Sequence, residues 1–458
     1  MSKKPSQKKI KLEATDVIVI GAGLAGLQAA LNVQKAGKTV TVIEARDRVG
    51  GRTVSQQVGS AMFDLGGQWL GPTQHRLSGL TSQAGIRTFP TFHEGTKILN
   101  HDGKISTYKS SIPSISPINL AVLQVALMRV ERARKQVPVT APMRAQNAAT
   151  LDTTSVETIK RKLIPTRGVR GIFDAAARVI FGAEPAELSL LHFLTYLNAG
   201  GGLLKLSEIE GGAQQERFAT GAQELSKYLA SKLDRGVQFN WPVRKIEQKK
   251  TKVTVHCDHG SVSAQRVVLA VPPNLAGKIQ YKPPMPSSRE FLTQGTTMGQ
   301  TIKCIATYNE AVWRQKGFSG EVVSTQGPIT VIFDNTSYDG KQPALLAFLV
   351  GHEGRRWSEQ SDEHRKQMVL ATFAKYFGPE ALRPNEYVEK DWSKDAWSLG
   401  CPTANPSPGV WMSSAHTLRE PVDRIHFAGT ETATEWMGYM EGALESGERA
   451  ASEVVKLL

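Results

Sequence analysis

A strand, a glycine turn, a helix and a second strand follow one another within residues 16–43, and this order constrains the fold more than any other feature. The run DVIVI is short, apolar and β-branched, which is typical of a buried parallel strand, and it leads into GAGLAG at residues 21–26. GxGxxG at this place allows a tight turn, close approach of backbone to a pyrophosphate and close packing of a helix on a sheet. We predict a doubly wound α/β domain with a helix over residues 24–35, whose N-terminus binds the pyrophosphate of a dinucleotide. The predicted contacts in this turn are Gly21, Gly23, Ala25 and Gly26.

Glu44 ends the second predicted strand, residues 39–43. It follows the glycines by about 20 residues, where a carboxylate accepts hydrogen bonds from both ribose hydroxyls of an adenosine. An acid at this position repels a 2′-phosphate, so the pattern disfavours NADP.

The segment EARDRVGGRT at residues 44–53 selects the nucleotide. Its diglycine again brings backbone near a pyrophosphate, and Arg52 adds a charge that is fixed at any working pH. The segment resembles the signature of flavoproteins with two dinucleotide-binding domains, which favours FAD over NAD. A second glycine turn, DLGGQWLGPTQ at residues 64–74, is able to bring backbone against a flavin ring. The predicted cofactor contacts in these two segments are Glu44, Arg46, Gly51, Arg52, Gly66, Gly67, Gln68 and Trp69.

A second cradle is predicted near the C-terminus, where RIHFAGTETA at residues 424–433 and GYMEG at residues 438–442 precede a helix that runs to Leu458. A strand, a glycine turn and a helix start place the positive end of a helix dipole at the flavin. The predicted contacts here are Gly429, Thr430, Glu431, Tyr439 and Met440, and Val243 from a predicted strand at residues 237–243 is added to them.

Composition indicates a globular protein of two or three domains, because 458 residues with 40% apolar side chains suffice for a large core. Cys257, Cys304 and Cys401 are too few and too scattered for a disulfide scaffold or a metal cluster, which favours a reducing, cytoplasmic location without a metal site. Residues 1–13 carry lysines without an apolar segment and are predicted to be a disordered basic arm rather than a signal peptide. Residues 120–128, the most apolar stretch, fit a core helix better than a membrane anchor.

The net charge of +14 does not by itself indicate nucleic-acid binding. No basic stripe interleaved with aromatic residues occurs beyond the first dozen positions. The charge therefore indicates a basic surface or the attraction of anionic substrates or surfaces.

The nucleotide-binding domain is predicted to be discontinuous, because strand patterns return after an irregular and helical region that ends near residue 206. Residues 237–243, 252–256 and 266–271 predict an antiparallel ribbon and a strand that rejoins the first sheet. Three further strands, at residues 300–308, 329–333 and 344–350, predict a second sheet, and a helix is predicted over residues 361–377. The predicted FAD-binding domain comprises residues 14–85, 210–290 and 391–458, and the predicted substrate-binding domain comprises residues 86–209 and 291–390.

The chain resembles the flavin-dependent monoamine oxidase family over most of its length, most densely at residues 16–76, 211–223, 266–313 and 391–449. The resemblance implies a two-dinucleotide-binding-domain flavoprotein of the α/β class, with a Rossmann-like FAD domain and an interleaved α+β substrate domain on a mixed or antiparallel sheet. It also implies a homodimer that deaminates a primary amine oxidatively, giving an imine and then an aldehyde while O2 becomes hydrogen peroxide.

The segment GQTIKCI at residues 299–305 is similar to the family segment that carries a catalytic lysine beside the flavin. In the family this lysine reaches the reactive flavin nitrogen through a water molecule, which identifies Lys303 as the catalytic candidate. Because side chains alternate along a strand, Cys304 is expected to pack in the core if Lys303 points into the site. The alternative for Lys303 is a solvated strand lysine.

The segment DWSKDAWSLGCPT at residues 391–403 is similar to the family segment whose cysteine forms a thioether to the flavin. Cys401 matches that cysteine, although a buried and unreactive thiol is the alternative. Pro402 replaces the tyrosine that follows it in the family, whereas Tyr439 matches the other wall of the two-tyrosine substrate cage and is a second catalytic candidate. Trp392 is expected near the flavin and Lys303. Gln214 resembles a glutamine that lines the substrate cavity, with Gln215 as the alternative.

Several substrates stay open. The missing cage wall and the positive charge favour a bulky or carboxylate-bearing amine. An L-amino-acid oxidase needs an arginine for the substrate carboxylate, and Arg217, Arg314 and Arg355 are the candidates. A polyamine oxidase needs an acidic channel, and a non-catalytic protein resembling the GDP dissociation inhibitors would bind no flavin.

Overall fold

The computed structural model describes residues 10–109 and 115–458, which divide into two units by the density of their contacts. The first unit contains the described residues up to Gly51, Leu225–Thr296 and Ser413–Leu458, and the second contains Arg52–Glu224 and Thr297–Met412. Residues 52–85, 210–224 and 391–412, which the sequence-based division assigned to the FAD domain, thus have their densest contacts in the second unit. The assignment of domains by cofactor contact stays a prediction.

The first unit is built on a sheet that has nine strands among the described residues. At its centre, Val40–Ile43, Thr15–Ile20 and Gly260–Leu269 are parallel neighbours, and Ile425–Phe427 extends the same parallel set. Their buried, β-branched side chains fit strands that are covered on both faces. The antiparallel ribbon is completed by Val243–Gln248 and Val253–Cys257. The remaining strands of this sheet are Ile10–Lys11, Val237–Gln238 and Gln280–Lys282.

Two predictions for this unit need correction. Residues 237–243 do not form one strand, because the amide N–H groups of Asn240 and Trp241 donate to the carbonyl oxygens of Arg46 and Glu44, and this interrupts the ladder. The predicted disordered arm is also too long, since Ile10–Lys11 pairs with Gly260 and Ser261. Residues 1–9 lie outside the described residues.

Helix Leu24–Lys35 has the predicted bounds, and it packs against the last long helix, Met440–Val455. A methyl group on Gly447 would lie 2.4 Å from the carbonyl oxygen of Ala25, so the two helices approach at backbone distance. The other helices that lie wholly in this unit are Pro273–Ala276 and Ser287–Gln294, and Gln223–Ser231 begins at its border.

The second unit contains a mixed, mostly antiparallel sheet with seven strands among the described residues. Phe318–Ser324 and Thr96–His101 pair in parallel, and the other neighbours are antiparallel. In spatial order the strands are Glu386–Asp391, Thr301–Thr307, Ala344–Val350, Val331–Asp334, Phe318–Ser324, Thr96–His101 and Lys104–Tyr108. Shorter strands of this unit are Ser55–Val58, Ala61–Asp64, Trp69–Leu70, Thr88–Pro90 and Glu216–Phe218.

The two faces of this sheet bury different cores, and this positions the site. Cys304 belongs to the face that packs against Trp313 and helix Asp362–Phe377. Ile305, the next residue, belongs to the opposite face, which packs against the hairpin formed by Ser55–Val58 and Ala61–Asp64. Since side chains alternate along the strand, Lys303 shares the face of Ile305.

The helices of the second unit are, in sequence order, His75–Gln83, Pro117–Arg134, Ala148–Thr153, Val156–Leu163, Arg167–Phe181, Leu190–Ala199, Leu203–Ser207, Val312–Gln315, Gly351–Ser358 and Asp362–Phe377, with Val410–Ser414 at the unit border. Residues 120–128 are indeed helical but are not a core helix. Leu120 and Met128 are 43% and 54% exposed, because only Leu123 and Ala126 of this stretch turn inward. Across the described ranges, no helix combines the length and the apolar character that a membrane crossing requires.

Candidate active site

The glycine turn of the first unit has the geometry of a pyrophosphate cradle. Gly21 has φ +104°, and a methyl group on Gly26 would lie 1.9 Å from the Gly21 carbonyl oxygen, so neither position accepts a side chain. Beside Gly23, in contrast, a methyl group would meet only the Gly50 carbonyl oxygen, at 4.0 Å. Helix Leu24–Lys35 begins at Gly23 without a side-chain cap, which leaves N–H groups of its first turn for an anion. Ala25 lies in that turn.

Glu44 is 3% exposed, and backbone groups fix its carboxylate. Oε2 accepts from the Ala22 N–H at 2.7 Å, and Oε1 accepts from the Arg46 N–H at 2.9 Å. Oε1 also accepts from Arg46 Nη1, at a longer 3.5 Å. Because each carboxylate oxygen can accept two hydrogen bonds, Oε2 retains capacity for a ribose hydroxyl. The Gly50 N–H donates to the Ala22 carbonyl and brings the diglycine next to this turn. The residues present therefore fit an adenine dinucleotide.

The second cradle forms in the same unit. Gly429 has φ +125°, and the Thr430 hydroxyl donates to the Tyr439 carbonyl oxygen at 2.7 Å. Helix Met440–Val455 begins at Tyr439 without a side-chain cap, and the Tyr439 ring packs edge-on against Trp436. Glu431 is buried, and Val243 opens the strand Val243–Gln248. The structure thus places residues 21–26 and 429–440 at two helix starts, and Val243 at the start of a strand.

Lys303 lies on a strand whose residues are all buried, and it is itself 1% exposed. Its Nζ donates to the Gly66 carbonyl oxygen at 3.0 Å and to Gln68 Oε1. The same Nζ lies 5.6 Å from the ring centroid of Trp69 and 5.7 Å from that of Phe348. We call Lys303, Gln68, Trp69, Phe333 and Phe348 the Lys303 cluster. Its three aromatic residues are each partly exposed, and Trp69 meets Phe333 edge-on at 5.7 Å.

The pKa of Lys303 is lowered from 10.5 to about 7, mainly by burial and to a smaller extent by the nearby charge of Arg217. The carboxylate of Asp64 acts in the opposite direction and stabilises the ammonium form. Burial in turn raises the pKa of Asp64, although its carboxylate accepts from the Ser55 hydroxyl and from the Ala222 N–H. The cluster therefore contains a lysine that can hold or release a proton near neutral pH.

The other predicted residues of the second unit surround this lysine. Trp392 is 1% exposed, and its Nε1 donates to the Leu65 carbonyl oxygen at 2.9 Å. A methyl group on Gly66 would lie 3.1 Å from the Trp392 ring and 2.1 Å from the Arg52 carbonyl oxygen, so a glycine is required there. The Gly67 N–H donates to that same Arg52 oxygen.

Cys401 is partly exposed and forms no disulfide. Its thiol affects Lys303 electrostatically, and its carbonyl oxygen accepts from the Thr301 hydroxyl. The Pro402 carbonyl oxygen accepts from Arg52 Nη1 at 2.9 Å. The structure thereby brings Cys401 and Pro402 to the strand that carries Lys303.

The structure distinguishes the two candidate glutamines. Gln214 Nε2 donates to the Leu206 carbonyl oxygen, whereas its Oε1 is buried without a partner among the described residues. Gln215 Oε1 accepts from the Gly211 N–H, so this side chain stabilises its own loop. The free acceptor favours Gln214 as the glutamine that contacts a ligand.

Asp64, Phe333 and Phe348 were not among the predicted site residues, and Arg217 was considered only as a partner for a substrate carboxylate. Phe348 lies directly opposite Lys303 in the antiparallel ladder, and a cross-strand neighbour leaves no local pattern in a sequence. The sequence itself could have indicated Asp64. An acid at the end of an apolar strand and next to a glycine turn is costly to bury unless it has a partner. Tyr439 and Met440 belong to the first unit and the Lys303 cluster to the second.

The lowered pKa of Lys303 predicts a pH-dependent contribution to stability. The unfolded chain carries this lysine near pKa 10.5, so between about pH 7 and 10.5 the unfolded state binds more protons than the folded state. The contribution of Lys303 to stability therefore becomes more favourable as pH rises through this window. We expect the melting temperature of Lys303→Met, relative to the unsubstituted holoenzyme, to be higher at about pH 7 than at about pH 9.5.

Thermal unfolding at both pH values measures this difference. The substitution also leaves Gln68 Oε1 and the Gly66 carbonyl oxygen without their donor, but that cost does not depend on pH and cancels in the comparison. Lys104→Met, at an exposed strand position, is the matched control and should show no such change. An equal difference at the two pH values would contradict the lowered pKa.

Comparisons with known proteins agree with this geometry. A family model described as flavin containing amine oxidoreductase matches residues 24–455. A protein of Dictyostelium discoideum named probable flavin-containing monoamine oxidase A is 40% identical over 442 residues, which cover 96% of this chain and 97% of that protein. The structure of a putrescine oxidase bound to putrescine has a TM-score of 0.93 at 30% identity and covers 98% of this chain and 100% of its own. Cyclohexylamine oxidase from Brevibacterium oxydans also has a TM-score of 0.93 at 30% identity, covering 97% of this chain and 99% of its own.

Proposed function

Because the chain belongs to the family of flavin-containing amine oxidoreductases, we propose that the Lys303 cluster is the place where its amine substrate is oxidised. Membership confirms the predicted family, the α/β flavoprotein fold, FAD as the cofactor and the oxidative deamination of amines. When bound, FAD supplies the two-electron oxidising group, and the protein supplies orientation, exclusion of water and electrostatics.

One observation carries the proposal, namely a fully buried lysine beside two neighbouring aromatic rings with a pKa near neutrality. Burial beside a cation disfavours a second positive charge, so the cluster lowers the pKa of a substrate ammonium that enters it. The neutral amine is the form whose nitrogen lone pair assists loss of the neighbouring C–H with its electron pair. The cluster therefore selects the reactive form of the substrate.

Lys303 is proposed to take part in proton transfer. In its ammonium form Nζ has three N–H groups, and Gly66 and Gln68 accept two of them. We assign the third N–H to a water molecule that takes part in proton transfer when O2 is reduced. Gln68 keeps Nζ in place, because its own Nε2 donates to Asn335 Oδ1 at 3.2 Å.

The cradle residues of the first unit are proposed to hold the cofactor. Glu44 would accept from a ribose hydroxyl, and the start of helix Leu24–Lys35 would bind the pyrophosphate beside Gly23. The other predicted contacts, the thioether to Cys401, the homodimer and the cytoplasmic location stay predictions.

The substrate is proposed to be a bulky primary monoamine, that is, an amine with one ammonium group and an apolar ring or chain beside it. Trp69, Phe333 and Phe348 offer three partly exposed aromatic faces to its body. A diamine would need an acceptor for its second ammonium group. Asp64, the carboxylate that acts on Lys303, already accepts hydrogen bonds from Ser55 and Ala222 and is 6% exposed. Among the proteins that this chain resembles, those named monoamine oxidase and cyclohexylamine oxidase belong to this class, whereas putrescine oxidase does not.

A matched pair of amines tests the proposal. Cyclohexylamine and trans-1,4-diaminocyclohexane have the same ring, and the second adds one ammonium group. We expect kcat/KM from oxygen consumption to be at least about tenfold higher for cyclohexylamine, because an unpaired charge is costly to bury. Benzylamine and putrescine extend the comparison. A preference for the diamine or for putrescine would contradict the monoamine assignment, although it would leave the oxidase activity intact.

A further inference from the structure

A cleft of about 230 Å³ lies in the second unit, and none of its lining residues belongs to the Lys303 cluster. Its lining includes Phe89, Phe92, Tyr338, Arg217 and Arg314. Its volume is below the range of about 300–1,000 Å³ that drug-sized ligands occupy, so it suits a molecule with a single ring. Two of the three arginines that the sequence offered as carboxylate partners thus meet here. The third, Arg355, pairs with Glu187 elsewhere in the unit.

Both arginines are held rigidly on aromatic faces. The guanidinium carbon of Arg217 lies 4.9 Å from the Phe89 ring centroid, and that of Arg314 lies 3.7 Å from the Phe92 ring centroid. Arg217 also donates to the carbonyl oxygens of Asn335 and Thr336. Guanidinium groups fixed in this way lose little conformational freedom when they bind a planar anion.

The charges at the cleft favour an anion. Arg314 donates to Asp334 through Nε and Nη2 at 2.6 and 2.8 Å, and its Nη1 is not part of that ion pair. Arg87 donates to the Tyr338 hydroxyl at 2.5 Å and adds a third guanidinium at the rim. Asp334 and Asp64 act on Arg217, and the exposed Glu94 lines the cleft, so Arg314 Nη1 and the guanidinium of Arg87 are the donors that an anion would meet.

Thr91 provides a further polar group. It is 1% exposed, it belongs to the lining of the cleft, and its hydroxyl has no hydrogen-bond partner among the described residues. A buried hydroxyl without a partner is costly. A ligand oxygen, or a water molecule held by the ligand, would satisfy it.

We propose that this cleft binds a carboxylate that is attached to a single aromatic or alicyclic ring. Arg314 and Arg87 meet the carboxylate, and the rings of Phe89, Phe92 and Tyr338 meet the apolar part. The ligand is either a free carboxylate or the carboxylate end of an amine substrate. Binding itself does not depend on the proposed function, because the cleft shares no residue with the Lys303 cluster.

Isothermal titration calorimetry of the FAD-loaded enzyme with benzoate tests this site, and benzamide serves as the uncharged analogue of the same shape. We expect benzoate to bind with a dissociation constant of about 1 mM or below and benzamide to bind at least about tenfold more weakly. Arg314→Lys keeps the ion pair to Asp334 but removes the planar fork, and Tyr338→Ala removes a ring that is 43% exposed. Each should weaken benzoate binding by about five- to tenfold. Arg355→Gln is the matched control and should bind benzoate unchanged.

Three results would overturn the proposal: no heat from benzoate at about 10 mM, equal binding of benzamide, or unchanged binding in both Arg314→Lys and Tyr338→Ala. Thr91→Val only replaces one hydroxyl by a methyl group, so it serves as the test if Arg314→Lys or Tyr338→Ala fails to fold. Inhibition kinetics then separate the two sources of the ligand. Competition between benzoate and the amine identifies a substrate carboxylate, whereas noncompetitive behaviour identifies a separate ligand.

Discussion

Lys303→Met is expected to lower the turnover of amine oxidation by about 10²-fold while the protein stays folded and loaded with FAD. Methionine fills the volume of the lysine stem but removes the buried N–H donors that Gly66 and Gln68 hold in place. It also removes the charge that disfavours a protonated substrate. Stopped-flow absorbance separates the amine half-reaction from the oxygen half-reaction, and the larger loss should fall on the oxygen half-reaction, where proton transfer is assigned to Lys303.

The neighbouring residue supplies the control for this substitution. Cys304 is fully buried on the opposite face of the same strand, within the core around Trp313. Cys304→Ala should therefore lower stability by about 1 kcal/mol or more and leave turnover within about twofold. Turnover in Lys303→Met within about threefold of the unsubstituted enzyme would contradict the catalytic role. Lys303→Arg keeps a positive charge but replaces the compact ammonium by a planar guanidinium, and it is expected to retain only part of the rate.

Of two alanine substitutions in the first glycine turn, Gly26→Ala is expected to disrupt folding and Gly23→Ala is not. Gly26→Ala places a methyl group 1.9 Å from the Gly21 carbonyl oxygen. The clash can be relieved only if the helix moves away from the sheet. We expect insoluble protein or a loss of stability above about 4 kcal/mol. Gly23→Ala meets only the Gly50 carbonyl oxygen at 4.0 Å, so the chain should fold normally, yet the methyl group fills the space assigned to the pyrophosphate. Its FAD content after purification should fall at least about tenfold.

Gly79→Ala is the control for both substitutions, because a methyl group at this helical position meets nothing within 4 Å. It should fold and bind FAD normally and gain a few tenths of a kcal/mol to about 1 kcal/mol from helix propensity. Circular dichroism, thermal unfolding and FAD absorbance distinguish the three proteins. Full FAD content in Gly23→Ala would contradict the cradle, and normal folding of Gly26→Ala would contradict the close helix packing.

The features that were predictable from sequence depend on local pattern. The GxGxxG turn sets its own backbone geometry, and the helix over residues 24–35 follows from it with the observed bounds. The alternation of the strand Thr301–Thr307 likewise suffices to separate Lys303 from Cys304. The motifs that indicated the family are also local, and each has a chemical role that its own residues specify. The predicted fold and cofactor therefore agree with the comparisons.

The features that were missed depend on partners distant in the chain. Phe348 faces Lys303 through sheet register, and Arg217 approaches it from another strand altogether. Residues 120–128, within the helix Pro117–Arg134, were expected to form a core helix because they are the most apolar stretch, but hydrophobicity alone does not specify which face of a helix packs against a partner. No short-range pattern carries this information, because it arises only when separate segments pack.

The strict alternation of the strand Thr301–Thr307 has an evolutionary consequence. Deleting or inserting one residue between Thr301 and Lys303 would exchange the roles of lysine and cysteine, driving an ammonium group into the core beside Trp313 and Glu389 and leaving a thiol among the aromatic rings. Such length changes are disfavoured here far more than substitutions are. Lineages that descend from this enzyme should therefore vary the identity of the flanking residues while conserving their number.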